Sequence, residues 1–153
     1  MHETIIQLEE KPLRFEEDFA CEEDFYDEFV GIVADYVSED VDREEEIDYF
    51  IKHLEKYGII YNSENQSIIF LEGFKTKYFS ERFYKLKQII EDITIEDFST
   101  DNTKVWILKN LIDEKYGTYI YTKGRWETFD EFIRYDLQEG KAYYIGSVLD
   151  YHF

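Results

Sequence analysis

The chain is poor in the residues that punctuate or cross-link a protein: one cysteine, one proline, one methionine and seven scattered glycines in 153 residues. Cys21 alone permits no internal disulfide and no zinc-type cysteine cluster. With so little proline and glycine there is no linker-like stretch, and no repeat of about 20 to 50 residues recurs. Apolar runs are only a few residues long, too short to span a bilayer, and the first ten residues lack the basic region and apolar core of a secretory signal. These absences predict a cytoplasmic protein, or one acting in the host cytoplasm if phage-encoded. Bases are scarce as well: 17 Lys and Arg stand against 36 Asp and Glu, a formal charge of −19. Such a surface repels phosphate backbones and anionic lipids, so neither direct nucleic-acid binding nor membrane binding is expected.

Against these shortages, 44% of the chain is hydrophobic and 19% is aromatic, which excludes a disordered acidic polymer. A chain of this length buries enough surface to fold without a metal or disulfide, and it reads as a single domain over residues 1–153. The acids are concentrated. Residues 1–48 hold 19 of them against Lys11, Arg14 and Arg43, a net of −16, while residues 49–153 carry a net of −3. Residues 73–90 run the other way, with Lys75, Lys77, Arg82, Lys85 and Lys87 facing only Glu81. The molecule is electrically lopsided.

The hydrophobic pattern predicts the elements. Thr4 to Leu8 reads as a first strand. Phe25, Phe29, Ile32, Val33, Tyr36 and Val37 fall at helical spacing, predicting an amphipathic helix with Asp24, Glu28 and Asp35 on one flank. Asp42 and Glu45 have the types that cap a second helix, which carries Ile47, Phe50, Ile51 and Leu54 inward and stops at Gly58. A hairpin from Ile59 to Leu71 follows, then helices marked by Phe79 to Ile93 and by Val105 to Ile112, the latter ended by Gly117. Thr118 to Thr122 reads as a strand and Thr128 to Arg134 as a short helix. Ala142 to Ile145 and Val148 to Phe153 read as two strands paired about Gly146 and Ser147. The predicted fold is α+β: a single compact domain of four to five helices packed with a small, mostly antiparallel sheet.

Motifs for catalysis are missing. There is no phosphate loop, no dinucleotide glycine fingerprint, no Gly-x-Ser-x-Gly and no His-Glu-x-x-His. His2, His53 and His152 have no ligand-like spacing. The run from Asp40 to Glu44 begins like a calcium loop but has Glu45 where glycine is required and Ile51 where a bidentate glutamate is required. Glu72 and Lys75 match the residue types of a restriction-type nuclease centre, without a convincing strand-borne aspartate upstream. No catalytic residue, metal or cofactor is expected, and a small hydrolase or nuclease is the least favoured class.

What remains is the acidic third. An ordinary charged run is a solvated surface, but carboxylates crowded with so few bases are destabilising, which is an uneconomical route to solubility alone. In size, charge and aromatic richness the chain resembles the small acidic antirestriction and anti-CRISPR proteins of phages and plasmids, and also the acidic immunity proteins of bacterial toxins. The resemblance implies a non-enzymatic inhibitor that occupies the basic nucleic-acid-binding surface of a defence enzyme by mimicry. The alternative is an immunity or antitoxin protein that sequesters a basic nuclease toxin. The partner-binding candidates are Glu16, Glu17 and Asp18; Glu22, Glu23, Asp24, Asp27 and Glu28; Asp35, Glu39, Asp40 and Asp42; and Glu44, Glu45 and Glu46. Phe19, Phe25 and Tyr26 lie among them as aromatics that either anchor a partner or fill the core.

Overall fold

A computed structural model describes residues 1–100, 103–112 and 115–153. Its strands are β1 (His2–Glu9), β2 (Tyr36–Ser38), β3 (Ile59–Asn62), β4 (Ser67–Phe70), β5 (Tyr119–Thr122), β6 (Arg125–Thr128) and β7 (Ala142–His152). Its helices are α1 (Arg43–Glu55), α2 (Phe74–Asp92), α3 (Ile95–Ser99), α4 (Thr103–Ile112) and the short α5 (Phe129–Glu131), which runs into a π-helical turn over Phe132–Asp136. The α+β class holds, but the sheet is not small. Among the described residues seven strands join in the order β3-β4-β7-β1-β5-β6, with β2 also paired to β7, and of these strand pairs only β1–β5 is parallel.

The two central strands explain the size. β7 is eleven residues long, so one of its edges accommodates β4 near its start and β2 near its end while the other pairs with β1. The sequence pattern predicts two strands about a turn at Gly146 and Ser147. Instead, β1 advances from Ile6 to Leu8 while β7 retreats from Val148 to Ile145, so those two residues form a bulge with one extra residue in β7.

The bulge switches which residues face each side. On one face Ile6, Leu8, Tyr143, Ile145 and Val148 pack with α1, Phe74 of α2 and Phe132 and Ile133. On the other, Ile5, Leu149 and Tyr151 pack with Ala20, Phe25, Phe29, Val33 and Val37.

That second layer overturns the expected first helix. Residues 22–25 form one 3-10 turn, the chain then loops through Gly31 at φ +96°, and residues 36–38 pair as β2. Phe25, Phe29 and Val33 are buried, but Ile32 and Tyr36 are exposed, which a helix with that face inward would not allow. Carboxylates at 24, 27 and 28 with no base among them disfavour helix, and Gly31 supplies the break. α1 matches its expectation: Asp42 accepts from the Glu45 amide at 3.1 Å, and Ile47, Phe50, Ile51 and Leu54 are buried. The β3–β4 hairpin also lies where expected. α2 begins at Phe74, five residues earlier than the apolar pattern indicates, and residues 113 and 114, between α4 and Gly117, lie outside the described residues.

α2 is fixed to α5 by an ion pair whose carboxylate is buried and whose guanidinium is half-buried. Arg82 donates to both oxygens of Asp130 at 2.7 and 2.9 Å, and the Tyr78 hydroxyl donates to the same carboxylate at 3.3 Å. Removing Asp130 takes away the charged acceptor of Arg82 and Tyr78, while the half-buried guanidinium keeps some access to water. Asp130→Ala is therefore expected to cost about 1.5–3 kcal/mol, the range for lost hydrogen bonds to a charged group, read as a fall in the urea midpoint with little change in slope.

Candidate functional site

The acidic segment is the outer cover of the sheet, and its backbone is tied down at three points. Gln7 of β1, buried beneath the loop, donates from Nε2 to the Asp18 carbonyl at 2.9 Å, while its Oε1 accepts from the Ala20 amide at 2.9 Å and the Ser147 amide at 3.1 Å. Glu22 and Glu39 form a reciprocal clasp, each carboxylate accepting the other's backbone N–H, at 3.0 and 2.9 Å. Arg43 reaches back from α1 to the Gly146 and Ile145 carbonyls and Gln66, with its guanidinium 5.3 Å from the Phe19 ring centre. None of these ties is local in sequence, and none is signalled by the sequence pattern.

The candidates divide by what their carboxylates already do. Asp18 accepts from the Arg14 side chain and backbone, and these bonds hold its pKa below the ordinary range. Glu22 is lowered by the Glu39 amide and by the Tyr26 hydroxyl at 2.9 Å. Asp24 accepts from the Cys21 amide, Asp42 caps α1, and Glu44 accepts from Arg43 and Gln66. Glu17 pairs with Arg14, and Asp35 faces His152 at 3.4 Å. Glu46 is partly buried, and this burial, reinforced by Glu45, Asp150 and Asp42, raises its pKa. Glu16, Glu23, Asp27, Glu28, Asp40 and Glu45 are exposed.

Between the first and last parts of this segment lies a hollow of about 440 Å³. Phe15, Phe19, Val41 and Val148 give it an apolar lining, Glu16 and Glu39 contribute carboxylates, and Arg43 lines it as well, over the Phe19 ring. Phe15 is 73% exposed, an unusual position for a phenylalanine. Of the three aromatics named as anchors or core, Phe25 is fully buried core, Tyr26 is exposed and Phe19 lines the hollow. Arg43 already lies along this apolar lining and Glu39 is engaged in the clasp, so what the hollow offers a partner is its exposed edge, Phe15 beside Glu16, against which the stem of a basic side chain can pack.

The other candidate chemistry is dispersed. Lys75 Nζ donates to the Arg134 carbonyl, and the backbone amides of Gly73 and Lys75 are held by Glu139, so the Glu72–Lys75 pair is embedded in a helix start rather than facing a cleft. The basic run on α2 is likewise engaged, Arg82 with Asp130 and Lys85 with Glu81. His2 and His152, far apart in sequence, face each other across the β1–β7 ladder with ring centres 5.0 Å apart. Among the described residues no group of three or more His, Cys, Asp or Glu is placed to hold a metal ion, and no helix is long and apolar enough to cross a membrane. Comparison with protein-family models, with curated proteins and with solved structures finds no match for this chain.

Proposed function

We propose that this chain is a non-enzymatic inhibitor whose acidic third docks on the positively charged nucleic-acid-binding surface of a defence enzyme. The observation that supports this reading is a dense set of carboxylates carried on a backbone pinned to the sheet by Gln7 and by the Glu22–Glu39 clasp. Fixed charges bind more effectively than mobile ones because less freedom is lost on association. In the proposed complex the exposed acids, Glu23, Asp27, Glu28, Asp40 and Glu45 among them, stand in for backbone phosphates, and exposed Phe15 beside Glu16 packs on the stem of a basic side chain from the partner. Opposite charge accelerates the encounter and selects basic partners.

The test is a competition assay against restriction and CRISPR effector nucleases, with duplex DNA as the displaced ligand. Reversing Glu23, Asp27, Asp40 and Glu45 to lysine is expected to weaken inhibition by at least about tenfold, equivalent to ~1.4 kcal/mol. These four side chains are exposed, so the fold should survive. The control reverses Glu64, Glu72 and Glu91, exposed acids outside the segment, and leaves inhibition nearly intact. Added salt should weaken the complex steeply. Full inhibition by the first variant would assign these acids to solubility. Tight binding to a basic nuclease without displacement of its nucleic acid would instead favour the immunity-protein reading.

A further inference from the structure

α2 beyond Arg82, together with α3 and α4, forms an arm with no core of its own. Phe74 is the only buried residue of α2, and neither α3 nor α4 has any. Yet the arm is rich in large apolar side chains. Phe83 and Ile90 on α2 are 54% and 57% exposed, Ile95 and Phe98 on α3 are 82% and 62%, and Trp106 and Ile112 on α4 are 65% and 57%. Phe83 and Ile112 line one hollow between the two long helices, and Trp106 lines another, to which Tyr57 and Tyr78 of the body also contribute. Scattered apolar residues on a surface need no explanation, but a grouping of this size marks an interface.

We infer that the arm is a homodimer interface, with a second copy of this chain packing its own arm against it across a two-fold axis. Area is the first argument. Taking ~150–250 Å² for a large aromatic side chain and somewhat less for isoleucine, the six residues expose on the order of 700 Å². A standard interface takes about 800 Å² from each partner.

Charge is the second argument, and it selects the occupant. Residues 73–112 carry seven Lys and Arg against six Asp and Glu, so this segment is nearly neutral in a chain of net −19. It is therefore where two such polyanions can meet without opposing their acidic thirds. Phe74, at the root of the arm, belongs to the core on one face of the sheet, whereas Phe25, Phe29 and Val33 of the acidic segment cover the other. An arm-to-arm dimer leaves both acidic surfaces open. Because the buried groups are mainly apolar, the association should resist salt, unlike a contact made by the acidic segment.

The experiment is light scattering coupled to gel filtration on the full chain over a range of concentrations. Wild type is expected to approach twice 18.7 kDa and to keep that mass in high salt. Phe83→Glu combined with Ile112→Glu should return the mass to 18.7 kDa with an unchanged circular-dichroism spectrum. Phe98→Lys, on the separate short helix α3, should weaken the dimer independently and keeps the inference testable if the double variant does not fold. Emission from Trp106 should shift to the blue as concentration rises in wild type but not in the double variant. A wild-type mass of 18.7 kDa throughout, a mass that grows without limit, or a dimer undisturbed by folded arm variants would each overturn the proposal.

Discussion

Gly146→Ala is expected to destabilise the protein by roughly 3 kcal/mol, the sum of overpacking at ~1–3 kcal/mol and a stranded buried amide at ~1–3 kcal/mol. A Cβ at Gly146 would lie 2.3 Å from Gln7 Oε1, 2.7 Å from its Cδ and 2.8 Å from Leu13 Cδ1. The Gln7 amide cannot retreat without cost, because its oxygen serves both Ala20 and Ser147 and its nitrogen serves Asp18. The glycine therefore makes room for the side chain that pins the acidic loop. Gln7→Ala should destabilise as well, leaving the Ala20 and Ser147 amides without their acceptor.

The pair of variants should be strongly non-additive. Once Gln7 is shortened, the methyl introduced by Gly146→Ala meets mainly the movable end of Leu13, so the double variant should be little worse than Gln7→Ala alone. Urea denaturation of all four proteins checks this, and simple additivity would show that the two positions do not share the space. Gln7→Ala, which changes no charge, should also weaken the proposed inhibition by loosening the backbone that carries Asp18.

The same glycine shows where the sequence is legible. α1 can be read because its signals are local: a capping aspartate, an apolar stripe at helical spacing and Gly58, which adopts φ +98° just after the helix. The β3–β4 hairpin is readable for the same reason. Gly146 and Ser147 have the composition of a turn, and groups far away in the chain, the Gln7 side chain and Arg43 among them, hold them as a bulge within one strand.

Phe25, Phe29 and Val33 mislead in another way. Their burial agrees with the apolar pattern, but inward residues three or four apart also suit an irregular segment laid over a sheet, and Ile32 and Tyr36 break the helical pattern by facing solvent. β6 escapes a sequence reading because Arg125 to Thr128 is short and has no two-residue apolar alternation of its own. At the candidate site, the concentration of acid is visible in composition. The Glu22–Glu39 clasp is not, since nothing local marks a carboxylate that will bind an amide 17 residues away.

Thermal stability is expected to fall as pH rises from about 5 to about 8, chiefly through Glu127 on β6. Its Oε1 is enclosed, with no hydrogen-bond donor among the described residues. Burial and the neighbouring Asp136 raise its pKa from 4.5 to about 7. Asp136 is lowered, by the bond it shares with Glu127 and by Arg125, so the pair gives up its last proton only above the ordinary carboxylate range.

Across the window from 4.5 to about 7 the native state keeps a proton that the unfolded chain has released. Stability therefore declines through that window and levels off above it. Glu9 and Glu46, also raised by burial, act in the same direction. Asp18, Glu22, Asp136 and Glu139 are lowered, so their contributions are present at neutral pH and lost only under more acidic conditions. The optimum is expected near pH 5, between these opposing sets. Glu127→Gln provides the decisive comparison because its amide can donate to Asp136 at every pH. This variant should melt above wild type at about pH 8 and close to it at about pH 5, each kcal/mol appearing as roughly 2–4 °C. Parallel melting curves for the two proteins across the range would show that Glu127 is not the group that titrates.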